Sequence, residues 1–157
     1  MVARSLKYQG VIQEIGSMVP QFLQFLPYGM LIFFNETAPA ELRALSLVHN
    51  GTQLVSELAP GDYLKFSPPS TEQPRSYRLA TVGREGMADT DSQLPQWWYR
   101  VTAVGESANT NLVELGHVVI HFDGATKANL PGAISVEPEL EAIPMVGTTF
   151  EFFALKE

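Results

Sequence analysis

Turn signals interrupt this chain so often that long helices have no room to form. Short runs of β-branched and aromatic residues alternate with Pro, Gly and Asn-Gly or Asp-Gly punctuation, at the spacing of sandwiches and barrels. Residues 29–35 (Gly-Met-Leu-Ile-Phe-Phe-Asn) are apolar almost throughout, as a strand buried on both faces would be. Residues 7–15, 45–49, 99–105, 117–122, 131–136 and 148–155 read as further strands. Residues 54–66 read as two short ones around a Pro60-Gly61-Asp62 turn. Helices are few. Residues 37–44 offer Thr37 as a cap, Pro39 in the first turn and Glu41 at the positive helix end. Residues 109–116 start on an Asn cap and close on Gly116. Between Pro20 and Pro27, Phe22, Phe25 and Leu26 recur at helical spacing. A small helix or loop over one end of the core is expected there, the alternative being a greasy face that docks on a membrane protein. The fold class is mainly β: a single-domain antiparallel β-barrel or sandwich with one or two short helices, spanning residues 1–157.

The least regular stretch is 67–98. Residues 67–74 and 84–92 are loops on composition. Between them Tyr77-Arg78-Leu79-Ala80-Thr81-Val82-Gly83 echoes Tyr99-Arg100-Val101-Thr102-Ala103-Val104-Gly105. Two copies make no solenoid, and pairing as neighbouring strands is the simpler expectation. Adjacent Trp97 and Trp98 suit an interface anchor, or a strand with one buried and one exposed Trp.

At 157 residues, 45% hydrophobic and 17% charged, the chain has the make-up of one ordinary globular domain. The lack of cysteine excludes a disulfide framework, a thiolate nucleophile and Cys-ligated zinc. No apolar run reaches the ~20 residues that span a bilayer, and residues 1–7 lack the apolar core of a signal peptide, so a cytoplasmic protein is expected. A net charge of −7 with scattered Lys and Arg disfavours nucleic acid and suits a basic protein partner.

The chemistry rests on histidine. Walker, Gly-x-Gly-x-x-Gly and Gly-x-Ser-x-Gly signatures are missing, so neither a nucleotide cofactor nor a serine elbow is expected. His117 and His121 share one strand face, but their Cα atoms lie about 13 Å apart at ~3.3 Å per residue, too far to chelate one metal. No metal is expected. Leu45-Ser46-Leu47-Val48-His49 alternates like a strand and runs into Asn50-Gly51, read as a tight turn. That places His49 at a strand end, with a nitrogen exposed to partners. Neutral imidazole accepts and releases a phosphoryl group readily near neutral pH. A surface or packed histidine without a role is the alternative.

The ordered pieces Leu31-Ile32-Phe33-Phe34-Asn35-Glu36, Ala38-Pro39-Ala40-Glu41-Leu42, Leu47-Val48-His49 and Thr102-Ala103-Val104-Gly105 continue into Asn111-Leu112-Val113-Glu114-Leu115-Gly116-His117-Val118, Phe122-Asp123-Gly124 and Pro131-Gly132. In these the chain resembles the glucitol/sorbitol-specific IIA component of the bacterial phosphoenolpyruvate-dependent sugar phosphotransferase system (PTS). The resemblance implies a phosphocarrier with His49 as the phosphorylated residue. It would take the group from the histidine-containing phosphocarrier protein and pass it to the IIB component of a IIB/IIC sugar transporter for glucitol/sorbitol uptake. The chain would meet the membrane only through that transporter. His117 falls on the family's Leu-Gly-His motif. It is expected to support the phosphate or orient the imidazole, the alternative being a histidine that caps a strand start. His121 departs from the pattern and is given no role. The family passes from its Pro-Gly turn to the Tyr-x-Val-Thr-Ala-Val-Gly strand in a short step. Here residues 67–98 intervene as an insertion, which opens the choice of partner and leaves a non-catalytic regulatory or binding module on the same scaffold as the competing reading.

Overall fold

The computed structural model describes residues 3–23, 29–51, 53–69 and 97–156. Eight strands close into a barrel in the order β1-β3-β2-β6-β7-β5-β4-β8. They are β1 (Ala3–Ile15), β2 (Met30–Asn35), β3 (Leu47–His49), β4 (Tyr63–Ser67), β5 (Trp98–Val104), β6 (Val118–His121), β7 (Ala133–Glu137) and β8 (Thr149–Lys156). Among the described residues three short helices punctuate them: α1 (Val19–Leu23), α2 (Ala40–Arg43) and α3 (Ala108–Leu115). Among the described residues no helix is long and apolar enough to cross a membrane.

The mainly β barrel with few short helices matches the expectation, and closure selects barrel over sandwich. Its pairing is not wholly antiparallel. β3 runs parallel to β2, and β7 parallel to β6, while the other neighbours are antiparallel. Parallel neighbours need a crossover rather than a hairpin. Residues 36–46, which contain α2, supply one, and residues 122–132 supply the other. Asn50-Gly51 and Asp123-Gly124 therefore close no hairpin. Asn50 instead locks onto β1, its Oδ1 accepting from Val11 N–H at 2.8 Å. Asp123 Oδ1 accepts from Ala125 N–H at 3.1 Å, a local turn beside the positive-φ Gly124.

The caps also differ from expectation. α2 begins after Pro39, and Thr37 bonds back to Asn35 Oδ1 instead of capping it. Ser107 takes the cap position of α3. Asn109 is occupied elsewhere: its side chain accepts from Leu58 N–H at 2.8 Å and donates to Leu58 O, pinning the incoming loop to the helix. Among the described residues one strand, β4, flanks the Pro60-Gly61 turn. The segment before it is held to β1 by Lys7, whose ammonium meets Asp62 at 2.8 Å and Glu57 O at 2.8 Å. The echo at 77–83 lies outside the described residues. Of the two tryptophans Trp97 is buried, while Trp98 is half-buried against Phe153 with Arg4 over its ring. That favours the packing reading over an interface anchor.

Strand alternation fills the lumen. β4 and β5 bury every second residue, sending Leu64, Phe66, Tyr99 and Val101 inward. Phe33 stands at the centre, 4.8 Å from Phe150 and stacked 6.4 Å from Phe66. Each such ring contributes on the order of 1.5–3 kcal/mol on burial. The barrel is a packed core, not a pore.

Candidate functional site

His49 follows Leu47 by two residues, so both side chains enter the same face of β3, and that face is the lumen. The exposure expected from the turn-like Asn50-Gly51 is overturned: His49 has 0% exposure. Its ring lies edge-on to Phe150 at 5.0 Å and to Tyr8 at 6.0 Å, with Phe33 at 6.0 Å.

Both ring nitrogens are occupied by backbone. The Gly51 N–H donates to Nδ1 at 2.9 Å, so Nδ1 carries the lone pair. The proton must then sit on Nε2, which donates to the Gly116 carbonyl at 2.7 Å. The ring is a neutral imidazole in one defined tautomer. Burial lowers its pKa below the ordinary value, opposed by the Gly116 carbonyl, which favours the protonated ring.

Gly116 reaches His49 because it ends α3 in the left-handed conformation, φ 59°. A Cβ there would stand 3.1 Å from Cε1 and 3.2 Å from Nε2 of His49, and 2.8 Å from Asn35 Cβ. At Gly51 a Cβ would stand 2.7 Å from the Tyr8 ring and 2.8 Å from Gln9 O. Glycine is thus the side chain that lets two backbone segments close on one imidazole.

His117 lies one residue beyond Gly116 and is half-buried. Its Nδ1–H donates to Phe33 O at 3.1 Å, and its ring rests 4.8 Å from Phe34. The orienting bond to His49 therefore comes from the Gly116 carbonyl rather than from the His117 ring. His121 sits at the other end of β6, buried, with neither ring nitrogen hydrogen-bonded; across the β6–β7 pair it faces Ser135. The structure brings His49 and the residue preceding His117 together and leaves His121 apart.

Along β1 and Asn50 runs an open groove of about 400 Å³, lined by Tyr8, Gly10, Val11, Asn50, Gln53 and Val55 among others; His49 itself does not line it. A larger recess of about 640 Å³ opens at the opposite end of the barrel, where Asp123, Glu137, Glu139 and Glu141 gather. Four carboxylates repel a phosphoryl group, so size does not identify the site here. No cluster of His, Asp or Glu fit to hold a metal exists among the described residues. Gly51 and Gly116 were legible in the sequence only as a turn and a helix stop, because their contribution is main-chain. Tyr8 carried no signal beyond its place in a strand.

The chain matches the family model described as PTS system glucitol/sorbitol-specific IIA component over residues 7–88 and 88–151, which include His49 and His117. It is 33% identical to the PTS system glucitol/sorbitol-specific EIIA component of Escherichia coli (strain K12), covering 96% of this chain and 97% of that one. The Shigella flexneri protein of the same description is 33% identical over the same shares. The crystal structure of a PTS system IIA component from Enterococcus faecalis V583 superposes with a TM-score of 0.60 at 21% identity, covering 93% of this chain and 99% of that one, and so shares the fold. By sequence over nearly its whole length, this chain belongs to the PTS glucitol/sorbitol-specific IIA component family.

Proposed function

We propose that the chain is a cytoplasmic phosphocarrier whose His49 accepts a phosphoryl group from the histidine-containing phosphocarrier protein. It passes the group to the IIB component of a glucitol/sorbitol transporter. The observation that carries this reading is the state of His49: a neutral imidazole in a single tautomer, with its lone pair on one nitrogen and its proton anchored on the other. A phosphoryl acceptor needs that state at neutral pH. Anchoring the ring removes orientational freedom, and the backbone dipoles around it are fixed before the reaction. Alignment and charge stabilisation then supply most of the catalysis. Because His49 is buried, transfer requires one of the two backbone segments that cover its ring nitrogens to move so that the donor can approach.

Exposure favours a second reading. His117 is half-buried, with Nδ1–H tied to Phe33 O and its lone pair on Nε2, so it could carry the phosphoryl group while His49 only packs. The domain reading is a single one, with 67–98 as an insertion on the barrel. To test the function, the protein is incubated with phosphoenolpyruvate, enzyme I and the phosphocarrier protein, then chased with the IIB component. Acid-labile label that passes to IIB is expected. A wild-type protein that takes no label would leave a regulatory or binding module as the function.

A further inference from the structure

The two most exposed large apolar side chains among the described residues, Val55 at 64% and Val113 at 58%, line one cleft. It holds about 360 Å³, with residues 54–57 on one wall and Asn109, Thr110, Val113 and Glu114 of α3 on the other. Each wall runs along the chain into one of the backbone groups that cover His49. The first follows Gly51, whose N–H donates to one ring nitrogen, and the second precedes Gly116, whose carbonyl accepts from the other. The Asn109 side chain ties the walls together, accepting from Leu58 N–H at 2.8 Å and donating to Leu58 O at 3.2 Å. Glu57 and Glu114 also line the cleft and are exposed, and neither carboxylate is in an ion pair among the described residues.

We propose that this cleft is the docking point of the phosphoryl-donor protein. The donor inserts an apolar side chain between Val55 and Val113, sets basic residues against Glu57 and Glu114, and by parting the two walls uncovers His49. This rests on the reading of His49 as the phosphoryl acceptor. The burial of His49 selects the donor as occupant. Both ring nitrogens are covered in the unphosphorylated chain, so the donor meets a closed site and has to open it. A phosphoryl group on either nitrogen displaces the backbone group bonded there, so the protein that takes the group onward meets a site already open. Charge agrees with this occupant: exposed carboxylates on a chain of net charge −7 steer a basic partner. Covering two valines that water now wets drives the docking, while the Asn109 ties it breaks are hydrogen bonds between neutral groups, the weaker kind.

The test uses the full chain with the phosphorylated histidine-containing phosphocarrier protein as donor. Val55→Thr combined with Val113→Thr keeps the side-chain shapes at exposed positions, and should lower kcat/KM for phosphoryl acceptance about 10-fold, the scale of one interface anchor. Glu57→Lys combined with Glu114→Lys should lower it about 10-fold at low salt and less at high salt. A wild-type kcat/KM in the valine variant would overturn the docking point, and one in the glutamate variant would overturn the basic surface of the occupant. Onward transfer from the phosphorylated chain to the IIB component should keep the wild-type rate in both variants. Slowing there would overturn the assignment of the cleft to the donor. Uncovering is read on its own: saturating the ¹⁵N-histidine-labelled wild type with unphosphorylated phosphocarrier protein should shift the ring signals of His49, and signals that stay put would overturn the opening. A wild type that takes no label, or label that persists in His49→Ala, overturns the underlying reading and the docking with it; normal labelling of His49 in the valine variant overturns the docking alone.

Discussion

At the scale of the residue, His49 is neutral because charging it would put a cation among Tyr8, Phe33 and Phe150. The linkage follows in sign. Its folded pKa lies below the unfolded value of 6.5, so the unfolded chain binds the extra proton first. The stability His49 contributes is intact above about pH 6.5 and is lost as the pH falls from there toward the folded pKa. Urea unfolding between pH 7.5 and 5.5 should therefore show stability falling with pH, and His49→Gln should fall less steeply. Equal slopes would contradict the burial. This inward placement was already legible in part: His49 alternates in phase with Leu47, a core residue. The Asn50-Gly51 pair pointed to a surface turn, but Asn50 is spent on β1 and Gly51 on the ring. Main-chain partners leave no side-chain trace in a sequence.

At the scale of the element, the end of α3 is the hinge of the site. Gly61 and Gly116 both have positive φ, 98° and 59°, but a Cβ at Gly61 meets nothing within 4 Å while one at Gly116 meets His49 and Asn35. Gly61→Ala should cost about 1 kcal/mol, the left-handed backbone penalty alone. Gly116→Ala should cost roughly 1–3 kcal/mol more from crowding, and should also slow phosphoryl acceptance. Denaturant midpoints of the two variants make the comparison, and equal losses would mean that His49 does not depend on the close approach. The stop at Gly116 and the apolar strand before Asn35 were readable from local residues. Which strands lie side by side was not. The parallel pairs β2–β3 and β6–β7 depend on crossovers whose direction no local pattern encodes.

At the scale of the molecule, the eight strands that close the barrel lie within residues 3–67 and 98–156. β4 and β5 are antiparallel neighbours with Lys65 opposite Trp98, so the ends of the two strands stand close together. Replacing residues 70–96 with a short Gly-Asn-containing link should leave stability within about 1 kcal/mol, since loop length enters only logarithmically. A loss of several kcal/mol in urea unfolding would show that the segment belongs to the core. The mainly β class and the family were readable because turn spacing and ordered motifs recur on both sides of residues 67–98. The closed state of the site was not readable, because burial is a property of the assembled barrel. The central claim is that His49 carries the phosphoryl group, and peptide mapping of the phosphorylated protein tests it most directly. Label on the peptide containing His49, lost in His49→Ala and retained in His117→Ala, is the predicted result; label on His117, surviving in His49→Ala, would contradict it.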